Sequence, residues 1–511
     1  MTPRTRRTKM KLAFARKLVL NRWVLGEFGI ETFADLSKSL GTEPREGLDE
    51  SNVHWFHHEL CRIPPEQRPG LPDDVLLAHD QAIGSVTRRL NESRLRHGKR
   101  PIQWKYFQYL SLLLSEIYLE RYFTDPEGLR ASLNGVIHSY SDELPAGQAS
   151  DRLDPLPTGP DARSQLNKLA FWMATGSGKT LLMHAHILRY RDLARKHGPA
   201  NHLNRILLLT PNEGLSRQHL EEFEIAGIAA SIFSKDGADL FQRVGVEILD
   251  VHKLADDMGD KTVAVSALEG PNLVLIDEGH RGASSGKRGV WMGYRDQLCE
   301  GGFSFEYSAT FGQAIKGDRE LTAEYARSTL VDYSYRWFHG DGFGKEYRIA
   351  NMNEDAGEWR NRYLTAALLT FFQQQWLYGR HGSAFRPYNV EPPLWVFVGS
   401  KVTKSLSTKD ASDVVEILRF LASYLSERDA SVERIRRVLQ DDNLVRHDQL
   451  RLPGDFDPLL DAGLDAEQVY RDTLATTFNA PSGGTTIVRT PSRSATPQAC
   501  WPPAPPKATR A

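Results

Sequence analysis

The sequence predicts an α/β protein: a parallel sheet over the middle of the chain, a mostly helical region before it, and the opening of a second α/β domain after it. Three observations carry this. From Lys168 onward short apolar runs recur as LAFWMA, RILLLTP, VEILDV, NLVLIDE and FEYSAT, each bounded by turn or polar residues, with helical patterns between several of them. Strands buried on both faces look like this, because alternation disappears when both faces are covered. Before residue 160 no strong alternating pattern occurs. There, IQWKYFQYLSLLLSEIYLERYF, from Ile102 to Phe123, puts apolar residues at 106, 107, 110, 113, 114, 117 and 118, on one helical face. Lastly, LWVFVGS at 394–400 reads as a strand and is followed by a helical stretch from Ala411 to Glu427.

Taken in order, residues 1–160 are a helical region and linker. Pro101 suits the first turn of an amphipathic helix, which Thr124-Asp125-Pro126 ends. Residues 141–164 collect Pro, Gly, Ser and Asp and read as a surface linker. The doubly wound domain spans 161–345, and a helical connector with a clear segment from Arg360 to Tyr378 spans 346–390. A partial second domain occupies 391–480. The last 31 residues, from Pro481, hold seven prolines and no acidic residue, a composition that buries too little apolar surface to fold alone.

Composition narrows the function classes. The 511 residues are 40% hydrophobic and 25% charged, ordinary for globular chains and long enough for several domains. Lys and Arg total 64 against 65 Asp and Glu, a formal net charge of −1, so any nucleic-acid contact must come from a local basic groove. Cys61, Cys299 and Cys500 lie far apart and in no metal-ligand spacing, which points to a reducing compartment without a disulfide framework or zinc site. No apolar run reaches the length of a membrane span. The basic N-terminus is interrupted by Arg16 and Lys17 and does not read as a signal peptide. The expectation is a cytoplasmic protein with no membrane partner.

Ala174-Thr175-Gly176-Ser177-Gly178-Lys179-Thr180 follows an apolar strand and precedes a helix that starts at Leu181. The spacing is that of a phosphate loop, with Ala174 where the first glycine usually sits. Gly176 and Gly178 let the backbone turn its N–H groups inward around a phosphate, joined by the positive end of the following helix. Thr175 and Ser177 complete the cradle. Lys179 would reach the β- and γ-phosphates of ATP, and the Thr180 hydroxyl would ligate Mg²⁺.

A second strand, Asn272 to Ile276, runs into Asp277-Glu278-Gly279-His280. Carboxylates at the carboxyl end of a parallel strand face the crevice where ligands bind. Asp277 can hold Mg²⁺ through its shell, while Glu278 can orient and deprotonate the attacking water.

Together these two motifs resemble the motor of superfamily 2 DEAD/DEAH-type helicases, and within it the restriction (Res) subunit of type III restriction enzymes and related phage-defence helicases. The resemblance covers roughly 165–410, with motifs in family order, and implies RecA-like domains. Thr210-Pro211-Asn212 is similar to motif Ia, which touches the nucleic-acid backbone. Ser308-Ala309-Thr310 is similar to motif III, which couples nucleotide state to DNA grip, and LWVFVGSKVT to motif IV. Gln108 resembles the adenine-reading glutamine of these motors, although it lies farther upstream than usual and could equally be a solvated helical side chain. His280 would relay the state of the metal site to Ser308 or Thr310, and Arg281, Lys287 and Arg288 are either a DNA-facing or a solvated loop.

The resemblance therefore implies an ATP-dependent DNA helicase or translocase subunit of restriction or phage-defence type, using ATP and Mg²⁺ on double-stranded DNA through backbone contacts, with a modification or other defence subunit as a possible partner. Two alternatives stay open: an ATP- and DNA-binding module with little turnover, and a P-loop NTPase acting on RNA. The family's arginine-finger motif is not found after Val402. Gln375 to Arg380 has the wrong spacing and lies ahead of motif IV, and Arg436, Arg437 and Arg446 match no finger pattern. No nuclease constellation follows either. By texture, the second domain is expected to break off near Ala480, as in a truncated or frame-altered product.

Overall fold

The computed structural model describes residues 13–41, 45–145, 148, 151–159, 161–198, 202–233, 245–255, 263–279, 288–315, 318–344, 357–385, 390–397, 413–440 and 456–480. The chain divides into two compact units, 1–346 and 347–511.

The first unit opens with helices α1 (Val19–Gly26), α2 (Phe33–Lys38), α3 (Trp55–Leu60), α4 (Asp73–Arg96), α5 (Tyr106–Thr124), α6 (Pro126–Glu143) and α7 (Ala162–Leu166). Strands and helices then alternate: β1 (Lys168–Met173), α8 (Lys179–Lys196), β2 (Ile206–Thr210), α9 (Glu213–Ala226), β3 (Ala230–Ile232) and β4 (Val246–Asp250). The two-residue strands β5 (Leu254–Ala255) and β6 (Val263–Ala264) pair with each other. After them come β7 (Leu273–Asp277), α10 (Arg288–Leu298), β8 (Phe303–Ser308), α11 (Phe311–Ala314), α12 (Arg319–Ser328), β9 (Thr329–Tyr333) and α13 (Tyr335–Gly340).

Seven strands form one sheet in the order β3-β4-β2-β7-β8-β1-β9, and every pairing in it is parallel. The apolar runs explain why. In β2, Ile206 and Leu208 enter the core shared with the N-terminal helices, whereas Leu207 and Leu209 enter a second core with Val274, Ile276 and Leu298. Successive side chains point to opposite faces, so a strand covered on both sides must be apolar throughout.

Several local expectations change. α5 starts at Tyr106, leaving Pro101 in an extended lead-in that Asn91 of α4 holds through both backbone groups of Ile102. Nor is α5 amphipathic. Fifteen of its residues are buried around the whole circumference, because it is a central helix packed on other helices and the sheet. The stretch read as a surface linker is largely docked: Lys17 pairs with Asp151 at 2.6 Å, Leu153 and Leu156 are buried, and Asn134 bonds both backbone groups of Leu156. The helices before residue 160 thus share one core with the sheet that follows.

The second unit contains α14 (Gly357–Phe385, with non-helical backbone at His381), α15 (Asp413–Ser426), α16 (Arg428–Gln440), α17 (Asp457–Asp461) and α18 (Ala466–Thr477). Leu368, Phe372, Tyr424, Ile435 and Val469 lie at its centre. The expected strand at 394–400 is not formed over its described part: 394–397 carry no regular secondary structure, and 398–400 lie outside the described residues. An apolar run becomes a strand only when another strand accepts its backbone. Here Trp395 leans on Phe371 of α14, with ring centroids 5.6 Å apart, while Leu394 stays 83% exposed. No strand occurs among the described residues of this unit. The Pro-rich segment from 481 lies outside the described residues. No described helix is long and apolar enough to cross a membrane.

Candidate functional site

Four loops converge because four neighbouring strands, β2, β7, β8 and β1, run parallel and end on the same side. Carboxyl ends of parallel strands are where open α/β sheets bind ligands. β1 leads into Ala174–Thr180, β2 into Pro211-Asn212, β7 into Glu278-Gly279, and β8 into Ala309-Thr310.

The phosphate loop has the backbone its sequence requires. Gly176 and Gly178 adopt φ of +87° and +86°, a region where a Cβ is strained. Ala174 N–H donates to Tyr333 O of the edge strand at 3.0 Å, and Gly178 O accepts from Leu181 and Leu182 to start α8. Thr175 is exposed at the loop tip, Ser177 is buried, and Thr180 is half-buried on the first turn of α8. The Ser177 hydroxyl has no hydrogen-bond partner among the described residues. Lys179 Nζ donates to Ala174 O at 3.3 Å, so its ammonium is folded back over the loop. Burial lowers the Lys179 ammonium below its ordinary value, and the nearby carboxylates of Glu278 and Asp277 oppose that change.

Gln108 joins this loop from helix α5. It is buried, its Nε2 donates to Ser177 O at 2.8 Å, and its Oε1 accepts from Lys105 N–H at 3.0 Å. The solvated alternative is thereby set aside. A Cβ on Gly178 would come within 2.4 Å of Gln108 Nε2, so this glycine is also needed for close approach.

Asp277 is the last residue of β7, and its Oδ2 lies 3.0 Å from His219 Nε2 of α9. Glu278 turns out of the strand at φ +56°, a left-handed conformation that costs a non-glycine residue about 1–2 kcal/mol. Strained backbone of this kind clusters at active sites and ligand clamps. Gly279 is packed above Glu306, whose Oε2 would be 3.1 Å from an added Cβ. His280, Arg281 and Lys287 lie outside the described residues, and the side chain of Arg288 is not described.

The remaining expected contacts separate. Thr210 is turned inward: it is 1% exposed, and its hydroxyl meets Ser216 Oγ at 2.7 Å and lies 3.3 Å from Leu249 O. It is not presented to a nucleic-acid strand, because the end of β2 is closed by the first turn of α9. Pro211 is also buried. Asn212 is exposed and caps α9, its side chain accepting from Leu215 N–H at 3.0 Å. Ser308 is buried and its Oγ accepts from Thr310 N–H at 3.0 Å. Thr310 Oγ1 has no partner among the described residues. In the second unit, Arg436 and Arg437 both pair with Glu433, and Arg446 lies outside the described residues.

The sequence reading missed His219. Its only local signal is spacing: Ser216, His219 and Phe223 form the buried face of α9.

The donor set fits a nucleotide-bound Mg²⁺. Among the described residues no group of three or more His, Cys, Asp or Glu could hold a metal. Mg²⁺ on a nucleotide needs no such cage, since phosphate oxygens and water fill most of its octahedron beside one or two protein ligands. Asp277 and Thr180 would be those ligands. When bound, Mg²⁺ would neutralise charge on the β- and γ-phosphates.

The glycine-rich loop after β1 and the acidic end of β7 lie on the same edge of the parallel sheet, near enough for Glu278 and Asp277 to act on the Lys179 ammonium. Residues 135–312 match the family model described as type III restriction enzyme, res subunit, and over that segment the chain resembles a helicase-like ATP-binding module. The matched segment holds the phosphate loop, Thr210–Asn212, Asp277–Gly279 and Ser308–Thr310, and leaves out Gln108 and the second unit. No curated protein matches the chain.

Proposed function

We propose that the chain is an ATP-dependent DNA translocase or helicase subunit of restriction or phage-defence type. The observation that carries this reading is the order of four motif-bearing loops on four adjacent parallel strands, with the carboxylates of Glu278 and Asp277 near enough to act on the Lys179 ammonium. The loop N–H groups of Gly176 to Thr180, together with Lys179, bind the phosphates of ATP. Asp277 and Thr180 hold Mg²⁺. Glu278 orients the attacking water and takes its proton. Asn212, at the exposed start of α9, faces nucleic acid, where backbone contacts would make binding sequence-tolerant and salt-sensitive. A modification or other defence subunit would supply target choice.

The test is ATP turnover by the whole chain with and without duplex DNA, beside Lys179→Ala and Glu278→Gln. Turnover stimulated by duplex DNA supports the reading, and stimulation by RNA in preference to DNA would move the protein to the RNA-directed alternative. A second reading, nucleotide and DNA binding with weak turnover, is favoured by one observation. Arg436 and Arg437, two of the arginines after Val402 weighed as a source of charge on the transition state, are engaged with Glu433. Tight nucleotide binding without stimulation would select it.

A further inference from the structure

Helix α9 does more than follow a nucleic-acid motif. Its start is fixed to the end of β2, where Thr210 Oγ1 meets Ser216 Oγ at 2.7 Å and Ser216 Oγ donates to Asn212 O at 3.2 Å. One turn later the same buried face presents His219, which is 4% exposed and packs beside Phe223. Its Nε2 lies 3.0 Å from Asp277 Oδ2, and its buried Nδ1 has no hydrogen-bond partner among the described residues. Facing an oxygen that can only accept, Nε2 is the ring nitrogen that carries the proton.

A carboxylate at a strand end can rotate, and rotation moves the oxygen a metal shell would use. An N–H from a buried ring, on a helix pinned to the neighbouring strand, removes that freedom: Oδ2 is held, and Oδ1 remains for the shell. Groups that orient a metal-facing ligand in this way change metal affinity by about 10- to 100-fold when removed. We propose that His219 is a positioning residue for Asp277, and that it sets the Mg²⁺ requirement of nucleotide binding without touching nucleotide itself. This rests on reading Asp277 as the metal-facing carboxylate.

The experiment titrates Mg²⁺ into the full chain with a fluorescent ADP, starting from EDTA, and reads the half-saturating Mg²⁺ concentration. His219→Ala is expected to raise it about tenfold, while nucleotide binding in EDTA, which depends on the phosphate loop, persists. His219→Gln, whose amide N–H reaches as far as Nε2, is expected to return it to within about threefold of the parent. His219→Asn, polar but too short to reach Asp277, is expected to behave like His219→Ala and serves if the alanine variant does not fold. A parental Mg²⁺ requirement in His219→Ala or His219→Asn overturns the proposal. Asp277→Asn separates the two layers. If it shifts the requirement and the His219 variants do not, only the positioning role fails. If Asp277→Asn leaves the requirement unchanged, the reading of Asp277 fails and the proposal with it.

Discussion

Gln108 Nε2 donates to Ser177 O at 2.8 Å, joining the start of helix α5 to the tip of the phosphate loop across 69 residues of sequence. Its other end accepts from Lys105 N–H, so both halves of the amide already hold protein backbone. The side chain therefore serves the loop's shape before it serves any base. Gln108→Ala should weaken ATP and GTP binding alike, by about 1–2 kcal/mol, the usual cost of a lost buried hydrogen bond and its orphaned partner. Equilibrium titration with both nucleotides checks this. A loss confined to ATP would instead make Gln108 a base reader.

Lys179→Ala should abolish productive nucleotide binding, because a point charge at the phosphates disappears and loop N–H groups cannot replace it. Glu278→Gln should retain nucleotide binding and lose turnover, since an amide is a poor base. Single-turnover measurements on pre-bound ATP distinguish the two. Parental turnover in Glu278→Gln would remove Glu278 from the chemistry.

Thr210 and Asn212 should part company. Thr210→Val deletes a buried hydroxyl bonded to Ser216 and should lower stability by about 1 kcal/mol, leaving duplex affinity unchanged at a temperature where both proteins are folded. Asn212→Asp keeps a capping oxygen for Leu215 N–H but places a negative charge where phosphates would sit. Its duplex affinity should fall several-fold, most at low salt. Unchanged DNA binding in Asn212→Asp would turn this helix end away from the DNA track.

The contrast shows what a chain of letters carries. The runs from Leu169, Ile206, Val246, Leu273 and Phe303 announced strands because burial on both faces leaves a compositional trace. The edge strand Thr329–Tyr333 mixes Thr and Asp into its five buried positions and left none. At 394–397 the trace misled, because a strand also needs a partner backbone, and Trp395 found a helix instead. At the site, residue types and spacing located the loop and the acidic strand end, since phosphate chemistry restricts both. Side-chain direction was not legible: Thr210 points inward only because Ser216 comes round to meet it. Gln108 against Ser177 and His219 against Asp277 are products of tertiary packing, and no local pattern encodes them.

Acid should destabilise the first unit through two histidines. His186 lies inside the core, with Nδ1 at 2.7 Å from Tyr307 Oη and Nε2 at 3.1 Å from Ser115 Oγ. Burial pushes its imidazole down to about 3 from an ordinary 6.5, and His184 is likewise pushed to about 3, by burial first and then by His219 and Arg94. Below pH 6.5 the unfolded chain takes up protons that the folded chain refuses. Stability present above that value is therefore lost as pH falls, until the loss levels off near pH 3. The slope is about 1.4 kcal/mol per pH unit for each histidine. His186→Gln offers an amide donor and acceptor to the same neighbours and has nothing to titrate. Denaturant unfolding of parent and variant between pH 7 and pH 4 should show the parent falling faster by about 1.4 kcal/mol per pH unit below pH 6, since contributions from carboxylates are common to both. Parallel curves would mean that His186 accepts a proton without leaving the core, and that the Tyr307–His186–Ser115 chain rearranges to hold it.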